Sequence, residues 1–172
     1  MNLIFSRRKI FSYEQIHKLD EMFEKYKVDR VVISGDLTST SSKEELIEAK
    51  KLIDNWKLPM TIIPGNHDAY TRKMEKRKIF YKYFEEKSTR TNYPGKNLTL
   101  KHDRIEVHLL FDKWYIIALD TAVATNWISS RGKFSEKQEA DLALLLKEFD
   151  KDTSNTDFSG ILYSLKGTAL IK

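Results

Sequence analysis

Pro64-Gly65-Asn66-His67-Asp68 follows the apolar run Met60-Thr61-Ile62-Ile63, and this junction decides how the rest of the chain is read. Four apolar or β-branched residues in a row predict a buried strand. Proline and glycine then end that strand and let the backbone turn. An amide, an imidazole and a carboxylate follow at once. Asn66 can offer a neutral oxygen to a hard cation, His67 can carry a proton near neutral pH, and Asp68 can orient such a ring. Upstream, Val31-Val32-Ile33-Ser34-Gly35-Asp36 repeats the plan, with an apolar strand, a glycine and then a carboxylate. Two strands that end in oxygen donors predict a site at one edge of a sheet.

Between them, Ser42 and Glu45 stand at capping-box spacing before the stripe Leu46, Ala49, Ile53 and Trp56, which predicts a helix. Strand, helix and strand of this kind make a βαβ unit with parallel strands. A right-handed crossover brings Asp36 and Asn66 to the same edge.

The two motifs resemble those of the calcineurin-like metallophosphoesterases. The likeness runs from about Asp29 to about Phe149 and includes Ala118-Leu119-Asp120 and the segment from Gly132 to Leu146. It implies an α/β fold, with a sheet flanked by helices. It also implies hydrolysis of phosphomonoester or phosphodiester bonds with two divalent metal ions (Mn, Fe, Zn or Mg). By the same resemblance Asp36 is the carboxylate that bridges the metals and Asn66 is a metal ligand. His67 faces the phosphate, with Asp68 beside it as the second catalytic residue.

The family pattern opens on Asp-x-His, which occurs nowhere in this chain. It closes on a lone His and then Gly-His-x-His, yet no histidine follows Asp150. The fold is therefore expected to be incomplete at both ends, from a truncated or frame-disrupted reading frame. Residues 1–150 form the partial phosphoesterase domain and 151–172 a divergent tail. Metal binding by such a chain is expected to be weak. The alternative function is a non-catalytic remnant, or a module that holds phosphate or an ion.

Elsewhere, Ser12 with Gln15 predicts a cap for a helix bearing Ile16, Leu19, Phe23 and Tyr26, and Ser135 with Gln138 caps another bearing Leu142, Leu145, Leu146 and Phe149. Tyr70 to Lys87 reads as one helix with Ile79, Phe80, Tyr83 and Phe84 on its apolar face and a basic outer face. Arg104–Phe111 and Trp114–Asp120 predict a hairpin turning at Asp112-Lys113, and alternation along the first strand predicts one face in solvent. His17, His102 and His108 are assigned structural places. The loop from Thr121 to Lys133, with Trp127, is a candidate cover for the site.

Composition sets the outer limits. At 172 residues, 41% hydrophobic and 32% charged, the chain has the make-up of one globular domain. Without cysteine it has neither a disulfide framework nor a thiolate metal site. The net charge of +5 suits an anionic substrate or a weak association with a membrane surface or nucleic acid. No nucleic-acid motif accompanies it. No apolar stretch is long enough for a membrane span, and the N-terminal run Met1–Phe5 is too short for a signal-peptide core, so the expected location is cytoplasmic.

Overall fold

In a computed structural model, the described residues are 13–88, 91–110, 114–124, 132–152, 161–165 and 168–171. In chain order the elements are α1 (Tyr13–Lys25), β1 (Val31–Ile33), α2 (Lys43–Asp54), β2 (Met60–Ile62), α3 (Arg72–Lys76), α4 (Ile79–Phe84), α5 (Leu100–Asp103), β3 (Ile105–Leu109), β4 (Tyr115–Leu119), α6 (Glu136–Asp152), β5 (Ile161–Leu165) and β6 (Thr168–Ile171). Helices and strands alternate through most of the chain, as an α/β fold requires.

The βαβ unit forms as its pattern predicts. β1 and β2 pair in parallel, Val31 with Met60 and Ile33 with Ile62. α2 starts at Ser42, whose hydroxyl accepts from Glu45 N–H while the Glu45 carboxylate accepts from Ser42 N–H. Leu46, Ala49 and Ile53 turn inward from α2 and pack with Met60, Ile62, Phe80 and Phe84 in the first core cluster. Burial of each such side chain stabilises the fold by about 1.5–3 kcal/mol.

The second sheet has the order β3-β4-β5-β6. β3 and β4 are antiparallel, with Ile105 opposite Leu119 and Leu109 opposite Tyr115. The turn at Asp112-Lys113 lies outside the described residues. Ile105, Val107, Ile117 and Leu119 meet Leu145 and Phe149 of α6 in a second core cluster. The α6 start is closed reciprocally: Ser135 Oγ accepts from Gln138 N–H and Gln138 Oε1 accepts from Ser135 N–H. β5 lies parallel to β4, and β6 returns antiparallel to β5. Residues set apart in the sequence as a divergent tail thus add two strands to this sheet.

Two expectations need correction, and two others fall on residues outside those described. The helix from Tyr70 to Lys87 is two short helices, because Lys78 between them sits at φ 50 in the left-handed region. That break turns Phe80, Tyr81 and Phe84 into the core while α3 keeps its cations outside. β3 does not present a face to solvent: Glu106 and His108 are as deeply buried as Ile105 and Val107. They share the face of Ala118, which belongs to the first core cluster. His108 Nε2 lies 3.4 Å from Glu106 Oε2, and a cavity of ≈ 20 Å³ opens between Glu106, Ile62, Phe80 and Phe84. Alternation misled here because a charged residue at every second position reads as an outer face, whereas these two lie between packed layers. Ser12 and residues 125–131 of the loop with Trp127 lie outside the described residues.

Candidate active site

β1 and β2 run in parallel, so the chain leaves both at the same edge. After Ile33 the backbone takes two successive left-handed steps, Gly35 at φ 105 and Asp36 at φ 57. After Ile62 it turns through Pro64-Gly65. The two turns touch through their main chains. A Cβ added at Gly35 would fall 2.2 Å from Gly65 N, and one added at Gly65 would fall 2.1 Å from Asp36 Oδ1. Only glycine allows this approach at either position.

Asp68 locks the two turns together. Its Oδ2 accepts from Gly65 N–H at 2.9 Å and from Leu37 N–H at 3.3 Å. Its Oδ1 accepts from the N–H and the hydroxyl of Thr38, both at 2.9 Å. The side chain is buried. Burial pushes its carboxyl above the usual range, against the downward pull of the bonds from Gly65, Thr38 and Leu37. The role given to Asp68 from sequence, orienting the His67 ring, is not what these contacts do. Both of its oxygens are committed to the loops.

The ring of His67 is oriented by a carbonyl instead. Nδ1 lies 2.8 Å from the oxygen of Ser39. A carbonyl only accepts, so Nδ1 carries the hydrogen and Nε2 is the nitrogen left to a ligand. His67 N–H donates to Asp36 Oδ1 at 3.1 Å, and the ring stacks on Tyr70 at 6.0 Å between centroids. The His67 carbonyl accepts from Ser41 Oγ at 2.6 Å.

The loop that carries Ser39 is gathered by Glu45. Its carboxylate accepts from Ser39 N–H, Thr40 N–H, Thr40 Oγ1 and Ser42 N–H. Burial raises the Glu45 carboxyl, but these bonds, those of Thr40 first, outweigh it and hold the pKa below the ordinary value. The capping-box spacing finds this residue as a helix cap; nothing in the sequence links it to His67. An acid held low adds stability above its unfolded pKa and loses it as pH falls through the folded value. The site is partly exposed, so with solvent screening Glu45→Gln is expected to lower stability by about 0.5–1 kcal/mol near neutral pH. Thermal melts of both proteins should converge as pH falls below about 4. A gap that stays constant to pH 3 would count against this role.

Asp36 is exposed and Asn66 half-buried at the same edge. Together they offer one carboxylate and one amide. Among the described residues no group of three or more His, Asp or Glu could hold a metal ion. This donor set does not fit a metal pair, whose ions each take about four to six ligands.

A second polar group lies behind Asp68, across a cavity of ≈ 60 Å³ that Asp68 and Asp120 both line. Asp120 accepts from Tyr81 OH at 2.6 Å, from Arg104 at 3.0 Å and from Ala122 N–H at 2.9 Å. Burial, and then the Asp120 charge, push the Tyr81 phenol well above its usual range. The sequence marks Asp120 only as the end of a strand. Its side-chain partners, Tyr81 and Arg104, lie 39 and 16 positions away, at separations no local pattern reveals.

Residues 11–160 match the family model described as calcineurin-like phosphoesterase. No curated protein matches the chain. No helix among the described residues is long and apolar enough to cross a membrane.

Proposed function

The chain belongs to the calcineurin-like phosphoesterase family, and from that premise we propose that the edge formed by Asp36, Asn66 and His67 receives a phosphate ester for hydrolysis. One observation carries the reading: the Ser39 carbonyl fixes Nδ1 of His67, while the main-chain N–H of the same residue holds Asp36 Oδ1. Imidazole and carboxylate are thereby set at one place before any ligand arrives. His67 Nε2 accepts a proton from a bound phosphate or, when protonated, donates one to a phosphoryl oxygen. Asp68 is a positioning residue that holds the two turns at a fixed separation.

Asp36 and Asn66 are the metal-facing donors in this reading, and they supply only part of what a metal pair needs. The remaining donors must come from outside the described residues. The chain alone should therefore bind Mn²⁺ or Zn²⁺ weakly and turn over an activated diester such as bis(p-nitrophenyl) phosphate slowly or not at all. The small donor set favours a second reading, a module that holds phosphate or an ion without cleaving it. The location proposed for either is cytoplasmic.

Nuclear magnetic resonance separates these outcomes from failure of the site itself. Titration with inorganic phosphate should shift the His67 ring protons and the amides of Gly65, Asn66 and Leu37, and His67→Ala should abolish the amide shifts. Absence of shifts at that edge with phosphate and with Zn²⁺ alike would remove both readings. Fast metal-dependent turnover, lost in Asp36→Asn, would show that the donor set is larger than Asp36 and Asn66.

A further inference from the structure

We infer that the outer face of α3 and α4 is an electrostatic docking surface for an anionic lipid bilayer. The inference stands apart from the hydrolytic reading and needs neither metal nor turnover. Its first ground is where the charge lies. The whole chain has 30 Lys and Arg against 25 Asp and Glu, a net +5. Residues 70–82 hold six of those cations, Arg72, Lys73, Lys76, Arg77, Lys78 and Lys82, and one acid, Glu75. The remainder is balanced at 24 against 24, so the entire net charge resides in this one segment.

The second ground is how the segment folds. Met74 packs against the first core cluster, and Glu75 Oε2 accepts from the N–H of Ala124. Lys78 reaches inward to the carbonyl of Lys101. At 3.6 residues per turn, Arg72, Lys73, Lys76 and Arg77 then fall within about 140° of the helix circumference. All four are exposed, as is Lys82 on α4. None of the five makes an ion pair among the described residues, whereas Lys50, Lys96, Lys101 and Lys137 all do.

The shape of the face selects the partner. A single nucleic-acid strand is held in a basic groove that tracks its backbone. A duplex takes an α-helix into its major groove, whereas the basic helix has only five residues. This face is the outside of a helix and therefore convex, and none of its five cations lines either cavity described above. Four to eight cations on one helix face suit a planar anionic surface, each adding roughly a fivefold gain in partition. Among the described residues the exposed large apolar ones, Met22, Tyr26, Leu110, Phe134 and Leu144, all lie outside the segment. Attachment is thus reversible, without insertion, and salt-sensitive. Arg72 is only five positions beyond His67, so the bilayer would lie beside the site.

The test is co-sedimentation of the full chain with vesicles of phosphatidylcholine containing phosphatidylglycerol. Binding should be strong at 50 mM salt, weak at 500 mM, and absent with phosphatidylcholine alone. The variant Arg72→Glu/Lys73→Glu/Lys76→Glu/Arg77→Glu should lose at least about a hundredfold in partition while its melting temperature stays near that of the parent. A control with the same charge change at the exposed Lys43, Lys51, Lys57 and Lys147, each changed to Glu, should keep most of the binding. Equal loss in the control, equal binding to neutral vesicles, or tighter binding of a single-stranded oligonucleotide at the same salt would each overturn the inference.

Discussion

Gly35→Ala is expected to remove about 4 kcal/mol or more of stability and to lower the melting temperature by roughly 8–16 °C for a chain of this size. Two costs add. A φ of 105 suits glycine and strains any L side chain. The new methyl would also meet Gly65 N at 2.2 Å, Gly65 Cα at 2.5 Å and the Pro64 carbonyl carbon at 2.8 Å. All three are main-chain atoms of the facing turn, so no rotamer change relieves the clash. Gly95 provides the comparison, since its φ is 73 and nothing lies within 4 Å of an added Cβ. Gly95→Ala should cost only about 1 kcal/mol, from backbone strain alone. Melting curves of the two variants would decide it. Similar losses would mean that the turns are not in contact.

Asp68→Asn should cost about 2–4 kcal/mol, although it changes the side chain's volume very little. An amide has one oxygen, whereas the carboxylate serves Gly65 and Leu37 with one oxygen and Thr38 with the other. Whichever way the amide is turned, its NH₂ group faces N–H groups that then have no acceptor. A buried donor left in that state costs about 1–3 kcal/mol. The pH dependence runs opposite to that of Glu45. Burial raises the folded-state carboxyl above its unfolded value. The wild-type advantage over the Asn variant is therefore largest below about pH 3.9 and shrinks as pH rises through the folded value. Denaturant melts from pH 3 to 8 would show this, and an advantage that grows with pH would refute the burial argument. Since the carboxylate joins the loops of Asp36 and His67, the variant should also weaken the phosphate-induced shifts at Gly65.

Much of the fold was legible because its signals are local. Ser42 with Glu45 and Ser135 with Gln138 mark helix starts within four residues, and the structure forms both reciprocal caps. Val31–Ile33 is apolar on both faces and Met60, Thr61 and Ile62 are all buried, as a parallel pair under a crossover helix requires. That the two turns meet at one edge followed from those strands and their glycines. Its internal wiring did not. That Asp68 bonds to Leu37 and Thr38, and that Ser39 rather than Asp68 steers His67, depends on contacts about thirty positions apart in sequence. The break at Lys78 was hidden because a lysine carries no mark of left-handed backbone. Glu106 and His108 were misplaced for a related reason. A strand's alternation tells which residues share a face, but not whether a second layer covers it.

The parallel pairing of β4 with β5 also sets the order in which the sheet can be assembled. β3 and β4 meet across a short turn, Leu109 beside Tyr115, so their hairpin closes early and at little entropic cost. Tyr115 meets Ile161 only after the chain has passed through all of α6. Loop closure over that distance comes before any contact rewards it, which makes this the slow step of the sheet. Until β5 has paired, the free edge of β4 shows unpaired main-chain groups beside an apolar face that α6 has yet to cover. During that interval a second chain offering its own β5 can take the same edge, and the share it wins rises with concentration.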